Sequence, residues 1–166
     1  AGRAGKPRTD ARRAPARRPD GGRRASLVLT CEHGGNDVPR RFAACFARAR
    51  GVLRTHRGYD LGALWLARAI AAGLGTPLVA STTSRLLVDL NRSPESPDLF
   101  SRYVRELPEA EREEILARHY APHRRRVARA VSRALAAGRP VIHVAVHTFT
   151  PRLRGVRRKA AIGLLH

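Results

Sequence analysis

The chain of 166 residues contains no methionine, only two cysteines, one tryptophan, and few aromatic residues of any kind, 5% in all. Each shortage excludes something. Cys31 and Cys45 are too few for a disulfide framework and make no C-x-x-C metal pair. Cys31, at the end of an apolar run, reads as a small buried filler. No apolar run approaches the roughly 18–20 residues a membrane span needs, so no membrane partner is expected. No charged n-region followed by an apolar h-region opens the chain, so no secretory signal is visible. The cytoplasm is the default expectation. The missing methionine includes the initiator, which reads as a processed or partial chain. The length fits one domain with a sizeable core.

Lysine is nearly absent as well. Lys6 and Lys159 are the only lysines among 33 cationic residues, and the net charge is +20. Such an excess could neutralise nucleic-acid phosphates. A composition rich in Ala, Arg, Gly and Pro accounts for it equally well, and no base-reading motif accompanies it. Nucleic acid is therefore not expected as the primary partner.

Residues 1–25 lack apolar periodicity and are rich in Arg, Pro and Gly. They read as a disordered basic arm. The arm carries nine Lys and Arg against two Asp, so most of the charge belongs to the domain expected over 26–166.

Within that domain, "SLVLTC" (26–31) reads as a buried strand. "GYDLGALWLARAIAAGLG" (58–75) has helical periodicity, with Leu61, Leu64, Trp65, Ala69 and Ala72 on one face. "TPLVAST" (76–82) and "RLLVDL" (85–90) read as two further strands, and "NRSPESPDLF" as a loop. From Pro108 to Ala137 the pattern is helical, with Pro122 expected to break it into two helices. "VIHVAVH" (141–147) is a strand with His143 and His147 on one face and Ile142, Val144 and Val146 on the other. "AIGLL" (161–165) reads as one more strand. Strands alternating with helices predict an α/β domain with a mostly parallel or mixed sheet and helices on both faces.

Polar residues collect where these strands end, the place at which open parallel sheets gather their chemistry. Glu32 and His33 follow the first strand in "TCEHGGNDVP". His56 and Asp60 flank Gly58. Arg85, Asp89, Asn91 and Arg92 bracket and follow "RLLVDL". His147 ends the strand "VIHVAVH". His33, His147 and a carboxylate would supply the N/O donors of a catalytic zinc site with an open position. A guanidinium beside an amide suits bidentate recognition of a carboxylate. His119 and His123 fall on the predicted helices and read as surface or packing residues.

"TCEHGGNDVP", "THRGYDLGALWLA", "SRLLVDLNRS", "HVAVHTFTP" and "IGLL", in this order, resemble the N-formylglutamate amidohydrolase family from about Leu27 onward. "DLNR" and "VHTFTP" are also similar to segments of zinc carboxypeptidases and aspartoacylase-like enzymes. The resemblance implies a phosphorylase/hydrolase-like, zinc exopeptidase-like fold. It implies a hydrolase dependent on zinc or another divalent metal that cleaves N-formylglutamate to formate and glutamate, as in histidine degradation, or cleaves the amide of another N-acyl amino acid. On that resemblance His33, Asp60 and His147 are the metal ligands. Asn36 stands where carboxypeptidase-like enzymes carry a ligand Glu, so the third ligand stays open. Arg85, Asn91 and Arg92 match binders of the substrate carboxylate, with His56 grouped beside them, and Glu32 is the candidate base.

Two departures from the family pattern stand out. Ala161 occupies a place where Asp is usual, and family members continue past His166 into a region from which related zinc hydrolases take a Glu base. The fold is thus expected to be truncated at its C-terminus. A non-catalytic relative that binds metal or an acyl amino acid, and a basic nucleic-acid-binding protein, are the alternatives.

Overall fold

The computed structural model describes residues 25–153 and 155–164. The arm expected over 1–25 lies outside the described residues except for Ala25. In chain order the elements are β1 (Ser26–Cys31), a 3-10 helix (Arg40–Phe46), the short α1 (Arg50–Leu53), α2 (Ala63–Leu74), β2 (Leu78–Ala80), α3 (Glu109–Ile115), a π-helical turn (Leu116–Tyr120), α4 (Ala121–Ala136), β3 (Val141–Ala145), β4 (Arg152–Leu153) and β5 (Val156–Arg157).

The apolar and β-branched run of β1 forms the centre of a three-stranded parallel sheet in the order β2-β1-β3. Leu29 pairs with Leu78 on one side, and Ser26 with Val141 on the other. Parallel neighbours need crossover connections, which α2 and the α3–α4 column supply. Alternation along β1 sends Leu29 and Cys31 toward Ala63 and Ala67 of α2, whose small side chains permit close approach. Glu32, in the other register, meets His123 of α4. α2 stops at Gly75, which takes the left-handed conformation that a C-terminal glycine accepts without a Cβ clash.

A larger apolar cluster lies beside the sheet, where Phe42 and Phe46 pack with Leu87, Val88, Leu90, Leu99, Val104, Ile115 and Tyr120. Three of these belong to "RLLVDL", which is not the expected strand. Turns fold it back, with Leu87 and Val88 both donating to the Ser84 carbonyl. An apolar run without alternation marks burial, and burial does not distinguish a strand from a buried turn. "AIGLL" is also not a strand: residues 161–164 are irregular and exposed, and the last two residues lie outside the description. β4 and β5 make a separate antiparallel pair.

The expected break near Pro122 takes the form of the π-helical turn, after which Pro122 sits in the first turn of α4, where it lacks no needed donor. The turn leaves both Tyr120 and His123 buried. The stripe on α2 divides differently from its periodicity: Leu64 packs inward, while Leu61 and Trp65 stand exposed. No helix among the described residues is long and apolar enough to cross a membrane.

Gly58 gives one test of this packing. A Cβ there would collide with the Leu53 carbonyl. The Gly58 carbonyl also accepts from Ser84 Oγ and from the Arg85 amide. Gly58→Ala is expected to destabilise the protein by about 1–3 kcal/mol, the usual cost of overpacking, read as a lowered thermal midpoint.

Candidate functional site

Backbone hydrogen bonds join four separate segments at the carboxyl ends of β1 and β3. The His33 carbonyl accepts from the Asp60 amide at 2.9 Å, and the Gly34 amide donates to the Ser81 carbonyl at 3.1 Å. A Cβ on Gly34 would lie 2.8 Å from that same carbonyl oxygen, so the glycine is what lets the two chains meet. The Val146 amide donates to the Thr30 carbonyl, carrying the β1–β3 ladder to the residue before His147. Thr148 Oγ1 then donates to the Leu61 carbonyl at 2.7 Å, which ties the His147 segment to the start of α2.

These ties bring His33, Asp60 and His147 together, with one donor atom from each within 4.8 Å of the others. His147 Nδ1 hydrogen-bonds Asp60 Oδ2 at 2.7 Å. His33 Nδ1 lies 3.6 Å from the same oxygen and makes no hydrogen bond, although it is buried. The other nitrogen of His33, Nε2, is bonded to Asp89 Oδ1 at 2.7 Å. Asp89 is itself held by the Asn91 amide and by Arg85 at 3.0 Å. Arg85 also lies 3.5 Å from Asp60 and is 31% exposed, so one guanidinium bridges two buried carboxylates and still reaches the surface. Two nitrogens and a carboxylate oxygen, one of them an orphaned buried atom, fit a divalent metal in an N/O site. The Asp89–His33 bond is of the kind that orients an imidazole from behind at metal sites.

The predicted residues divide accordingly. His33, Asp60 and His147 converge, and Arg85 adjoins them. Arg92 reaches Asp89 only at 4.0 Å and is half exposed. Asn91 contributes its amide rather than its side chain to the Asp89 contact. His56 sits exposed on the turn before Gly58 and joins none of these ion pairs. Asn36 donates to the Leu53 carbonyl, away from the metal-type donors. Glu32 is buried with Oε2 3.6 Å from His147 Nε2, the ring nitrogen facing away from Asp60. Two participants lacked a role in the sequence. Asp89 belongs to a run that reads as a strand, and His123 looked like a packing residue; only its spacing from Tyr120, three residues earlier, hints at a shared buried face. An open cleft of about 660 Å³ at the other end of β1, lined in part by Ser26, Gly75, Pro77 and Arg139, holds none of these groups.

Electrostatics reinforce the cluster. Burial alone would raise the Asp60 carboxyl, but the His147 hydrogen bond and the neighbouring His33 imidazole outweigh it and hold the group well below the usual range. Asp89 behaves likewise, with burial overcome by His33 and Arg85 and the value brought to about 2. Burial lowers His33, yet the adjacent Asp60 carboxylate and the bond to Asp89 win and its pKa rises. Burial, and then the Glu32 and Asp60 charges, push the Cys31 thiol up to about 11, which makes it no nucleophile.

Asp89 contributes stability that is fully present above its unfolded value of roughly 4 and is lost as pH falls through about 2. His33, raised above its ordinary value, contributes stability present below pH 6.5 that is lost as pH rises through its folded value. Metal-free protein is therefore expected to melt highest near roughly pH 5–6 and lower on both sides. Zinc-loaded protein should keep its midpoint above pH 7, because a metal needs the imidazoles deprotonated. A metal-free midpoint that climbs steadily from pH 6 to 9 would contradict this.

The molecule is an α/β domain whose parallel sheet carries, beside the ends of β1 and β3, a His–Asp–His group that could hold a metal ion. The family model for N-formylglutamate amidohydrolase matches residues 25–166, and the chain belongs to that family. A crystal structure of a gene product from Agrobacterium tumefaciens is similar at a TM-score of 0.73 and 32% identity, over 82% of this chain and 57% of the other. The chain thus spans little more than half the length of that relative. No curated protein matches it.

Proposed function

We propose that this domain is the metal-binding part of a hydrolase that cleaves the amide of an N-formyl or N-acyl amino acid, with N-formylglutamate as the leading substrate. The carrying observation is the orphaned, buried Nδ1 of His33 facing Asp60 and His147. Family membership supports the reaction class. In this reading His33, Asp60 and His147 hold zinc or another divalent metal. When bound, such an ion polarises the amide carbonyl and makes water more acidic.

The chain's own residues supply the rest. Asp89 holds His33 from behind, at Nε2. Arg85 and Arg92, with Asn91, line the exposed side of the Asp89 turn and take the glutamate carboxylates, which orients the formyl amide toward the cluster. Water adds across the amide, giving formate and glutamate. Glu32 is held at about 2: burial would raise it, but the neighbouring His123 imidazole, Thr30, the backbone and the His147 charge together outweigh that, so it is ionised at neutral pH. It stands at the His147 nitrogen turned away from Asp60, a position better suited to holding His147 than to drawing a proton from water beside Asp60. A cytoplasmic place in histidine degradation belongs to the same proposal.

The test is formate release from N-formylglutamate by zinc-loaded protein, with and without chelator. Chelator-sensitive release is expected. Stoichiometric zinc binding without release would favour the alternative of a domain that binds without turnover.

A further inference from the structure

His123 is the buried group that the reading above leaves unused. It lies on α4, is 2% exposed, and neither of its ring nitrogens has a hydrogen-bond partner among the described residues. Buried polar atoms of native proteins are nearly always paired, so two on one ring call for an explanation. Its Nε2 faces Glu32 Oε1 at 3.8 Å. The second oxygen of Glu32, also without a hydrogen bond, faces His147 Nε2 at 3.6 Å. The three side chains form a row, imidazole, carboxylate, imidazole, whose far end is the Nδ1 bonded to Asp60.

The row parallels the contact on the other histidine. His33 has Asp89 on its outer nitrogen at 2.7 Å. His147 has Glu32 on its outer nitrogen, at 3.6 Å. A carboxylate at the outer nitrogen fixes the tautomer and direction of a metal-ligating imidazole. Glu32 has two oxygens, and only one can serve His147. Thr30 and the backbone also act on this carboxylate from the β1 side, so a donor that holds it turned toward the ring from the opposite side has to come from α4. His123 Nε2 is the group placed to be that donor.

We propose that His123 is a positioning residue: through Glu32 it aims His147 at the metal. The proposal rests on the reading of His33, Asp60 and His147 as a metal site. It also gives α4 and its π-helical turn a function, because they carry His123 across the sheet to the end of β1.

The test uses the full chain loaded with zinc or with cobalt, whose visible spectrum reports ligand geometry. His123→Phe keeps the ring and removes the donor, His123→Gln restores an N–H near the Nε2 position, and Glu32→Gln removes the carboxylate. Circular dichroism and melting in chelator establish that each variant is folded. His123→Phe and Glu32→Gln are each expected to weaken zinc by about 10-fold or more and to alter the cobalt spectrum in the same way. His123→Gln should recover most of both. Wild-type zinc affinity and cobalt spectrum in folded His123→Phe would overturn the proposal while leaving the metal reading intact. Should His123→Phe fail to fold, a silent Glu32→Gln overturns it equally. Wild-type protein that binds neither metal would overturn the metal reading itself, and the proposal with it.

Discussion

His33→Ala protein is expected to lose zinc binding in competition with a chromophoric chelator, and Asp89→Ala protein to bind about 10–100-fold more weakly than wild type. The two substitutions separate a donor from its support. His33 supplies the buried Nδ1 that has no hydrogen bond and faces Asp60 Oδ2 at 3.6 Å. Removing it deletes one of three donors and leaves Asp89 Oδ1 without its 2.7 Å partner. Removing Asp89 instead leaves all three donors in place but frees the His33 ring to turn and to change tautomer. The same pair should differ in the absence of metal. His33→Ala leaves a buried carboxylate short of a partner and is expected to cost about 1–3 kcal/mol at neutral pH. Arg85 remains on that carboxylate and limits the loss. Equal zinc affinity in wild type and His33→Ala would remove His33 from the site.

Arg85→Ala is expected to lower kcat/KM for N-formylglutamate by about 10–100-fold, from loss of a charged hydrogen bond worth roughly 1.5–3 kcal/mol. Arg85 touches both Asp60 and Asp89 and is 31% exposed, so it links the buried carboxylates to whatever binds outside. Arg85→Lys should rescue little, because an ammonium cannot span two carboxylates and present a planar edge to a third. Steady-state kinetics with N-formylglutamate and with an N-formyl amino acid carrying an apolar side chain would check this. If Arg85 receives the side-chain carboxylate, the loss should be larger for the dicarboxylic substrate. An equal loss on both would assign Arg85 to the metal cluster alone.

Much of this arrangement was legible in the sequence, and for identifiable reasons. β1 and β3 announce themselves as short apolar runs that end in polar residues, which places His33 and His147 at strand ends from sequence alone. Asp60 entered the site through the family resemblance, since its place before a helix fits a dipole carboxylate equally well, and α2 begins only at Ala63, after the Gly62 turn. "RLLVDL" was misread as a strand because Leu87, Val88 and Leu90 are buried on all sides, and a run buried on all sides carries no period. Asp89 stands among the polar residues of that segment but gains no role there, because its carboxylate is aimed by the turn rather than by strand alternation. His123 was hidden for a different reason. Its role depends on α4 crossing the even-numbered face of β1, a long-range packing fact that no local pattern contains. The stripe of Leu61 and Trp65 shows the converse, a clear period whose direction relative to the core only packing decides.

Zinc content after gel filtration, measured for wild type, His33→Ala, His147→Ala and His119→Ala, tests the metal centre most directly. About one zinc per chain is expected in wild type and in His119→Ala, whose histidine lies outside the cluster, and almost none in the other two. Full zinc retention in both His33→Ala and His147→Ala would contradict the account.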